Sequence, residues 1–204
     1  MAEGERRPTD FLLFRFAVGG ASPQKQISSN SNKEDALAQP LSHYGWTKLE
    51  AEEIIQELPS WSILRTVLVI GMAEDLSRSN IVLWAKGALE KGQAINVVDD
   101  QYRTPTLAED LAHGALLAAD QCAQGVFNIS GPDFMSIYDL VGQVAEHFGL
   151  SMASVTRTDS TTLNQPAKRP PRTGFDISKA RKELGYRPHS FKEALEIIAN
   201  QAGL

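Results

Sequence analysis

From residue 43 onward the chain alternates short β-branched runs with amphipathic stretches, and this alternation limits its fold more than any other feature. Residues 43–58 read as a helix, with Trp46, Leu49, Ile54, Ile55 and Leu58 supplying an apolar face and Pro59 ending it. Residues 62–70 form a run of the buried-strand kind, and Arg65 inside it requires a carboxylate partner. A helix over 79–91 stops at Gly92, and Ile95, Val97 and Val98 mark a short strand. Then come a helix over 107–121, a strand over 125–129, a helix over 136–148 opened by Ser136, and a strand over 153–157. Residues 160–175 read as a Pro- and Arg-rich loop, followed by helices over 179–184 and 191–201; Ser178 is the expected N-cap of the first and Gly185 its stop. Ahead of all this, residues 11–18 read as a strand and 19–40 as a polar loop. Strands alternating with helices predict an α/β fold on a largely parallel sheet. A doubly wound sheet needs two βαβαβ halves, and only the second is legible.

Composition narrows the function classes. Of the 204 residues, 42% are apolar and 22% charged, a globular balance that excludes wholesale disorder. A net charge of −5 argues against a general nucleic-acid binder. No apolar run reaches the ~18–20 residues of a membrane-spanning helix; Arg65 interrupts the most apolar one, and Arg15 splits the run near the N-terminus. The single cysteine, Cys122, excludes an intramolecular disulfide and a Cys-cluster metal site, and fits a reducing, cytoplasmic setting. His43, His113, His147 and His189 are scattered without ligand spacing, so they read as surface groups and no metal is expected.

The first chemical motif is Tyr44-Gly45-Trp46-Thr47-Lys48. Residues i and i+4 lie one turn apart on one helix face. That spacing sets an ammonium beside a phenol, and positive charge favours the phenolate. A phenol so placed can exchange a proton with a carbonyl or alcohol oxygen. On most helices the same spacing is only a surface pair.

Further segments give the motif a context. Pro40-Leu41-Ser42 leads into His43 to Glu52; Leu64-Arg65-Thr66-Val67-Leu68-Val69-Ile70-Gly71 follows, and then Ser79-Asn80-Ile81-Val82-Leu83-Trp84. Ile95 to Thr106 carries Arg103 seven residues before Asp110. The C-terminal part holds Arg169-Pro170-Pro171-Arg172-Thr173-Gly174-Phe175-Asp176 and Lys179 to Pro188. In this order the segments resemble the extended short-chain dehydrogenase/reductase superfamily. Trp84, the Asp100-Gln101 pair and Gly125 to Gly131 make the chain similar to its dTDP-4-dehydrorhamnose reductase group over about residues 40–204.

The resemblance implies an NAD(P)-binding Rossmann-like doubly wound parallel sheet with a small C-terminal α/β substrate-binding region. Residues 1–75 would be the remnant of the nucleotide-binding domain with the Tyr-Lys helix. Residues 76–204 would be mainly the substrate-binding region, interleaved with the last Rossmann strands. It implies NADPH or NADH as cofactor, a nucleotide-sugar substrate, and a homodimer through helices that include the Tyr-Lys helix. Tyr44 and Lys48 would be catalytic and touch the cofactor, as would Thr66. Asn80, Trp84, Arg103, Arg169 and Arg172 would bind substrate. Guanidinium groups suit a diphosphate, Arg103, Arg169 and Arg172 all fall in expected loops, and Trp84 offers a flat face to a ring. The bland alternatives are loop solvation for Arg169 and Arg172 and core packing for Trp84.

The superfamily opens on a Gly-x-x-Gly-x-x-Gly turn that lets backbone approach the cofactor pyrophosphate at a helix N-terminus. Val18-Gly19-Gly20-Ala21-Ser22-Pro23 follows a strand-like run but has neither the later glycines nor a helix after it. The sheet is therefore expected to be incomplete at the N-terminus. Pro8-Thr9-Asp10-Phe11-Leu12-Leu13-Phe14 weakly matches the strand that carries the family's third catalytic group, which makes Thr9 the candidate hydroxyl. Epimerases and dehydratases share the Tyr and Lys. Some relatives are non-catalytic regulatory subunits, and a non-functional fragment is a further alternative.

Overall fold

The computed structural model describes residues 32–72, 80–162 and 169–203, and the backbone of 12–16. The elements in chain order are β1 (Leu12–Phe16), α1 (His43–Gln56), β2 (Ser62–Thr66), β3 (Val69–Ile70), α2 (Ile81–Glu90), β4 (Ile95–Val98), β5 (Tyr102–Arg103) and β6 (Thr106–Leu107). They continue as α3 (Ala108–Asp120), β7 (Gly125–Asn128), β8 (Met135–Ser136), α4 (Ile137–His147), β9 (Val155–Thr158), β10 (Arg172–Thr173), α5 (Ser178–Leu184) and α6 (Phe191–Gln201).

The main sheet runs β1-β2-β7, all parallel, with Leu64 opposite Phe14 on one side and Phe127 on the other. Parallel pairs also join β3 to β6 and β4 to β9. A small mixed sheet, β10-β5-β8, pairs Tyr102 with Arg172 and Arg103 with Thr173 in parallel, and Arg103 with Met135 antiparallel. The α/β architecture on mainly parallel strands is as the alternation predicts. Two apolar clusters hold it. Ile70, Val82, Leu89, Leu140, Val144, Leu195 and Ile198 join α2, α4 and α6. Leu64, Phe127, Ile129, Leu184 and Tyr186 join the main sheet to α3 and α5. Each of the aliphatic and Phe side chains contributes about 1.5–3 kcal/mol on burial.

The expected strand over 62–70 is two strands. Leu68 takes φ 45, a left-handed conformation that breaks β structure after Val67, so β2 stays in the main sheet and β3 leaves to pair with β6. The residue-160–175 loop contains β10, and β5, β6 and β8 are equally short; two residues carry no readable period. Ser178 is the first residue of α5 rather than its cap, and its N–H donates to Asp176 Oδ1 at 2.8 Å. Ser136 caps α4 as expected, in a capping box with Asp139.

Helix α1 is turned away from its expected face. Gly45, Glu52 and Ile55 are buried, while Trp46 and Ile54 face outward at 53% and 65% exposure. The reason is electrostatic. Arg65 on β2 donates Nε to Glu52 Oε1 at 2.9 Å and Nη2 to Glu52 Oε2 at 2.8 Å. A partly buried guanidinium holds the carboxylate face of the helix inward.

Candidate functional site

Ser42 opens α1, its hydroxyl accepting from the Gly45 N–H at 3.3 Å. This start puts Tyr44 in the first turn, half exposed, with Lys48 one turn on. The Lys48 ammonium lies 5.4 Å from the Tyr44 ring centroid. The Thr47 hydroxyl donates to the Tyr44 carbonyl at 2.9 Å and so is turned back along the helix. An exposed phenol with a cation beside it can exchange a proton with a bound oxygen.

Thr66 ends β2 fully buried, its hydroxyl donating to Thr106 Oγ1 at 3.4 Å. Thr9 lies outside the described residues. Asn80 caps α2, its amide oxygen accepting from Val82 N–H at 2.9 Å and Leu83 N–H at 3.3 Å while its nitrogen donates to the Gly71 carbonyl. Its side chain thus has a structural use of its own. Trp84, on the same helix, is 42% exposed rather than in the core.

The arginines divide. Arg103 is 8% exposed; its Nη1 donates to the Tyr102 carbonyl at 2.6 Å and the Pro171 carbonyl at 3.2 Å, and its Nη2 to Gln101 Oε1 at 3.2 Å. Burial, and then the charge of Arg169, pushes its pKa down to about 10, against an opposing pull from Asp100. Asp100 is itself taken up by the N–H and hydroxyl of Ser160. Among the described residues no carboxylate lies within ion-pairing distance of Arg103. Arg172 instead stacks its guanidinium 4.7 Å from the Tyr102 centroid and 5.9 Å from that of Phe134, whose rings are stacked on each other. Arg103 and Arg169 therefore share one electrostatic environment, while Arg172 sits on an aromatic shelf on the Tyr102 face of the β5–β10 pair.

Hydrogen bonds between residues far apart in sequence tie neighbouring segments together. Glu34 Oε1 accepts from Asn128 N–H, and Asn128 Nδ2 donates to the carbonyls of Asn32 and Asp176. His189, read as a surface group, is exposed but binds Asp110 through Nδ1 at 2.7 Å and through its own N–H at 2.8 Å. The separation in sequence leaves no local signal for any of these. Among the described residues no group of three His, Cys, Asp or Glu is placed to hold a metal ion, and no helix is long and apolar enough to cross a membrane.

Comparison with known proteins gives the geometry a lineage. The profile of the RmlD substrate binding domain matches residues 26–203. The probable low-salt glycan biosynthesis reductase Agl14 of Haloferax volcanii is 28% identical over 148 residues, covering 72% of this chain and 49% of its own length. Methionine adenosyltransferase 2 subunit beta of Danio rerio is 26% identical over 152 residues, covering 72% of this chain and 47% of its own. The chain thus spans about half the length of these curated relatives. Among solved structures, a dTDP-4-dehydrorhamnose reductase of Clostridium acetobutylicum superposes with TM-score 0.83 at 25% identity, over 95% of this chain and 66% of that one. UDP-glucuronic acid 4-epimerase of Bacillus cereus, in complex with NAD, superposes with TM-score 0.71 at 26% identity, over 93% of this chain and 58% of that one.

Proposed function

The chain belongs to the RmlD substrate binding domain family, and from that premise we propose that it binds a nucleotide-activated 4-keto sugar for reduction by NADPH or NADH. The observation that carries this is Arg103, a buried guanidinium with no carboxylate at ion-pairing distance among the described residues and with Arg169 near it. A buried cation is costly unless something anionic pairs it. A sugar nucleotide brings a diphosphate. The names of relatives and neighbours (a glycan biosynthesis reductase, a dTDP-4-dehydrorhamnose reductase) support the same substrate class.

In this reading residues 76–204 are mainly the substrate part, and residues 1–75 belong with the nucleotide-binding part. Arg103 and Arg169 hold the diphosphate, and Arg172, on the opposite face of the β5–β10 pair, meets another part of the substrate from the Tyr102 shelf. Trp84 offers its exposed face to the sugar, and Asn80 orients it from the start of α2. Tyr44 hands a proton to the C4 oxygen. Lys48 stabilises the phenolate left behind, and Thr9 would orient the same oxygen. The exposed Tyr44 and adjacent Lys48 fit the nicotinamide end of a dinucleotide; Thr66 belongs there by its place at the end of β2. The glycine turn that would take the cofactor's pyrophosphate is not within these 204 residues. When bound, the dinucleotide supplies hydride. The outward Trp46 and Ile54 on α1 are the surface for a second copy.

The test is turnover. Mixed with a dTDP-4-keto sugar and NADPH, the chain should consume reduced nicotinamide, at a rate impaired by the absence of the glycine turn from these residues, and Tyr44→Phe should abolish this while leaving sugar-nucleotide binding intact. Failure of the well-folded chain to bind NADPH by calorimetry overturns the reductase reading. A second reading is a non-catalytic sugar-nucleotide-binding subunit, favoured by the relationship to methionine adenosyltransferase 2 subunit beta. It predicts stabilisation by dTDP-rhamnose without cofactor and no turnover.

A further inference from the structure

We propose that Gln101 and Thr173 are direct ligand donors, completing with Arg103 a pre-built oxyanion site for the diphosphate. The proposal rests on the substrate class put forward above, and it gives a binding role to two residues that the resemblance left without one. In the β5–β10 pair Arg103 stands opposite Thr173, and Tyr102 opposite Arg172. Residues in register share a face of the pleat, and successive residues alternate. Arg103 and Thr173 therefore project to one side. Tyr102 and Arg172 project to the other, as the guanidinium over the Tyr102 ring confirms.

On the Arg103 side the hydrogen bonding does not close. Gln101 and Thr173 are each 3% exposed. The Gln101 carbonyl oxygen accepts from Arg103, but among the described residues its amide nitrogen has no partner, and neither has the Thr173 hydroxyl. Buried polar groups are nearly always paired, and an unpaired one costs free energy. Here two of them flank a buried cation. Backbone carbonyls and a glutamine oxygen satisfy part of the guanidinium but neutralise none of its charge. One ligand type answers all three deficits: an acceptor with several lone pairs and a negative charge. A phosphate or diphosphate has both. Arg103 and Arg169 would supply attraction to any anion, whereas the two neutral donors add direction and so select for oxygen geometry.

The two donors have substitutions that separate ligand binding from structure. Thr173→Val keeps the shape and removes an unpaired buried hydroxyl, so the free protein should melt at the same temperature or higher. Its affinity for dTDP, and for inorganic pyrophosphate, should fall about five- to tenfold by calorimetry. Thr173→Ser, which keeps the hydroxyl, should retain affinity. Gln101→Glu gives Arg103 a carboxylate, so it should raise the melting temperature and weaken both ligands at least about tenfold through like-charge repulsion. Should Thr173→Val not fold, Gln101→Glu and Thr173→Ser carry the same test. Wild-type affinity in both Thr173→Val and Gln101→Glu overturns the proposal and leaves the substrate class standing. Affinity for dTDP but none for pyrophosphate would mean that the base or sugar, not the diphosphate, is recognised, which also overturns it. A wild-type chain that binds neither ligand overturns the proposal and the substrate class together.

Discussion

Replacing Arg65 by methionine tests the physics that sets the orientation of α1. The guanidinium makes three hydrogen bonds at 2.8–2.9 Å: two to Glu52 and one, from Nη1, to the Glu34 carbonyl. The side chains of Arg65 and Glu52 are 13% and 1% exposed, so solvent screens the pair little. Arg65→Met deprives a buried carboxylate of its cation, which typically costs about 3–5 kcal/mol. The lower end is apt, because Arg65 keeps some contact with solvent. With a urea m-value of about 2 kcal/mol/M, a loss of about 3 kcal/mol lowers the unfolding midpoint by about 1.5 M. The double variant Arg65→Met/Glu52→Leu removes both charges and should recover most of that loss, since apolar replacement of a buried pair is often neutral. Urea unfolding followed by circular dichroism reads both. A single variant shifted by less than about 0.5 M, or a double variant as unstable as the single, would refute the view that an ion pair turns the helix.

Cys122 occupies φ 48 just past the end of α3, where Cys122 N–H bonds the Ala119 carbonyl and Ala123 N–H the Ala118 carbonyl. Gly92 takes the same left-handed position after α2. Cys122→Gly should therefore stabilise the chain by up to about 1 kcal/mol, seen as a higher melting temperature; a lower one would show that the thiol's packing matters more. The Ser178 and Ser190 hydrogen bonds hold Asp176 and Glu193 below their ordinary values of 3.8 and 4.5. A carboxylate depressed on folding gives stability that is fully present above the unfolded value and is lost as pH falls through the folded one. Melting temperature should thus decline below about pH 4.5, and Asp176→Asn/Glu193→Gln should flatten that decline; a variant curve parallel to wild type would contradict it.

Where the sequence was legible, the information was local. Helices long enough to show a period were found within a residue or two, and Ser136 could be recognised as a cap because a capping box needs only four residues. The Tyr44–Lys48 pair follows from helix geometry alone. Arg65 could be expected to find a carboxylate, but not Glu52 in particular, because two apolar residues on α1, Trp46 and Ile54, favoured a different buried face. The strand break at Leu68 was hidden because leucine gives no warning of a left-handed conformation. The divided arginines were hidden for another reason. Arg103 and Arg172 read alike as loop cations, and only the register of a two-residue strand pair sends them to opposite faces.

That strand pair also bears on the order in which the chain folds. Arg103 reaches the Pro171 carbonyl across 68 residues. Closing so long a loop is entropically expensive, and non-local pairings tend to form late. The anion site is thus absent from any intermediate in which β10 has not yet docked on β5, even one whose helices are already formed. A diphosphate that binds only the docked state would slow unfolding while leaving the early steps of folding untouched. Its binding would then report, more strictly than helix content does, that the last strand has reached its place.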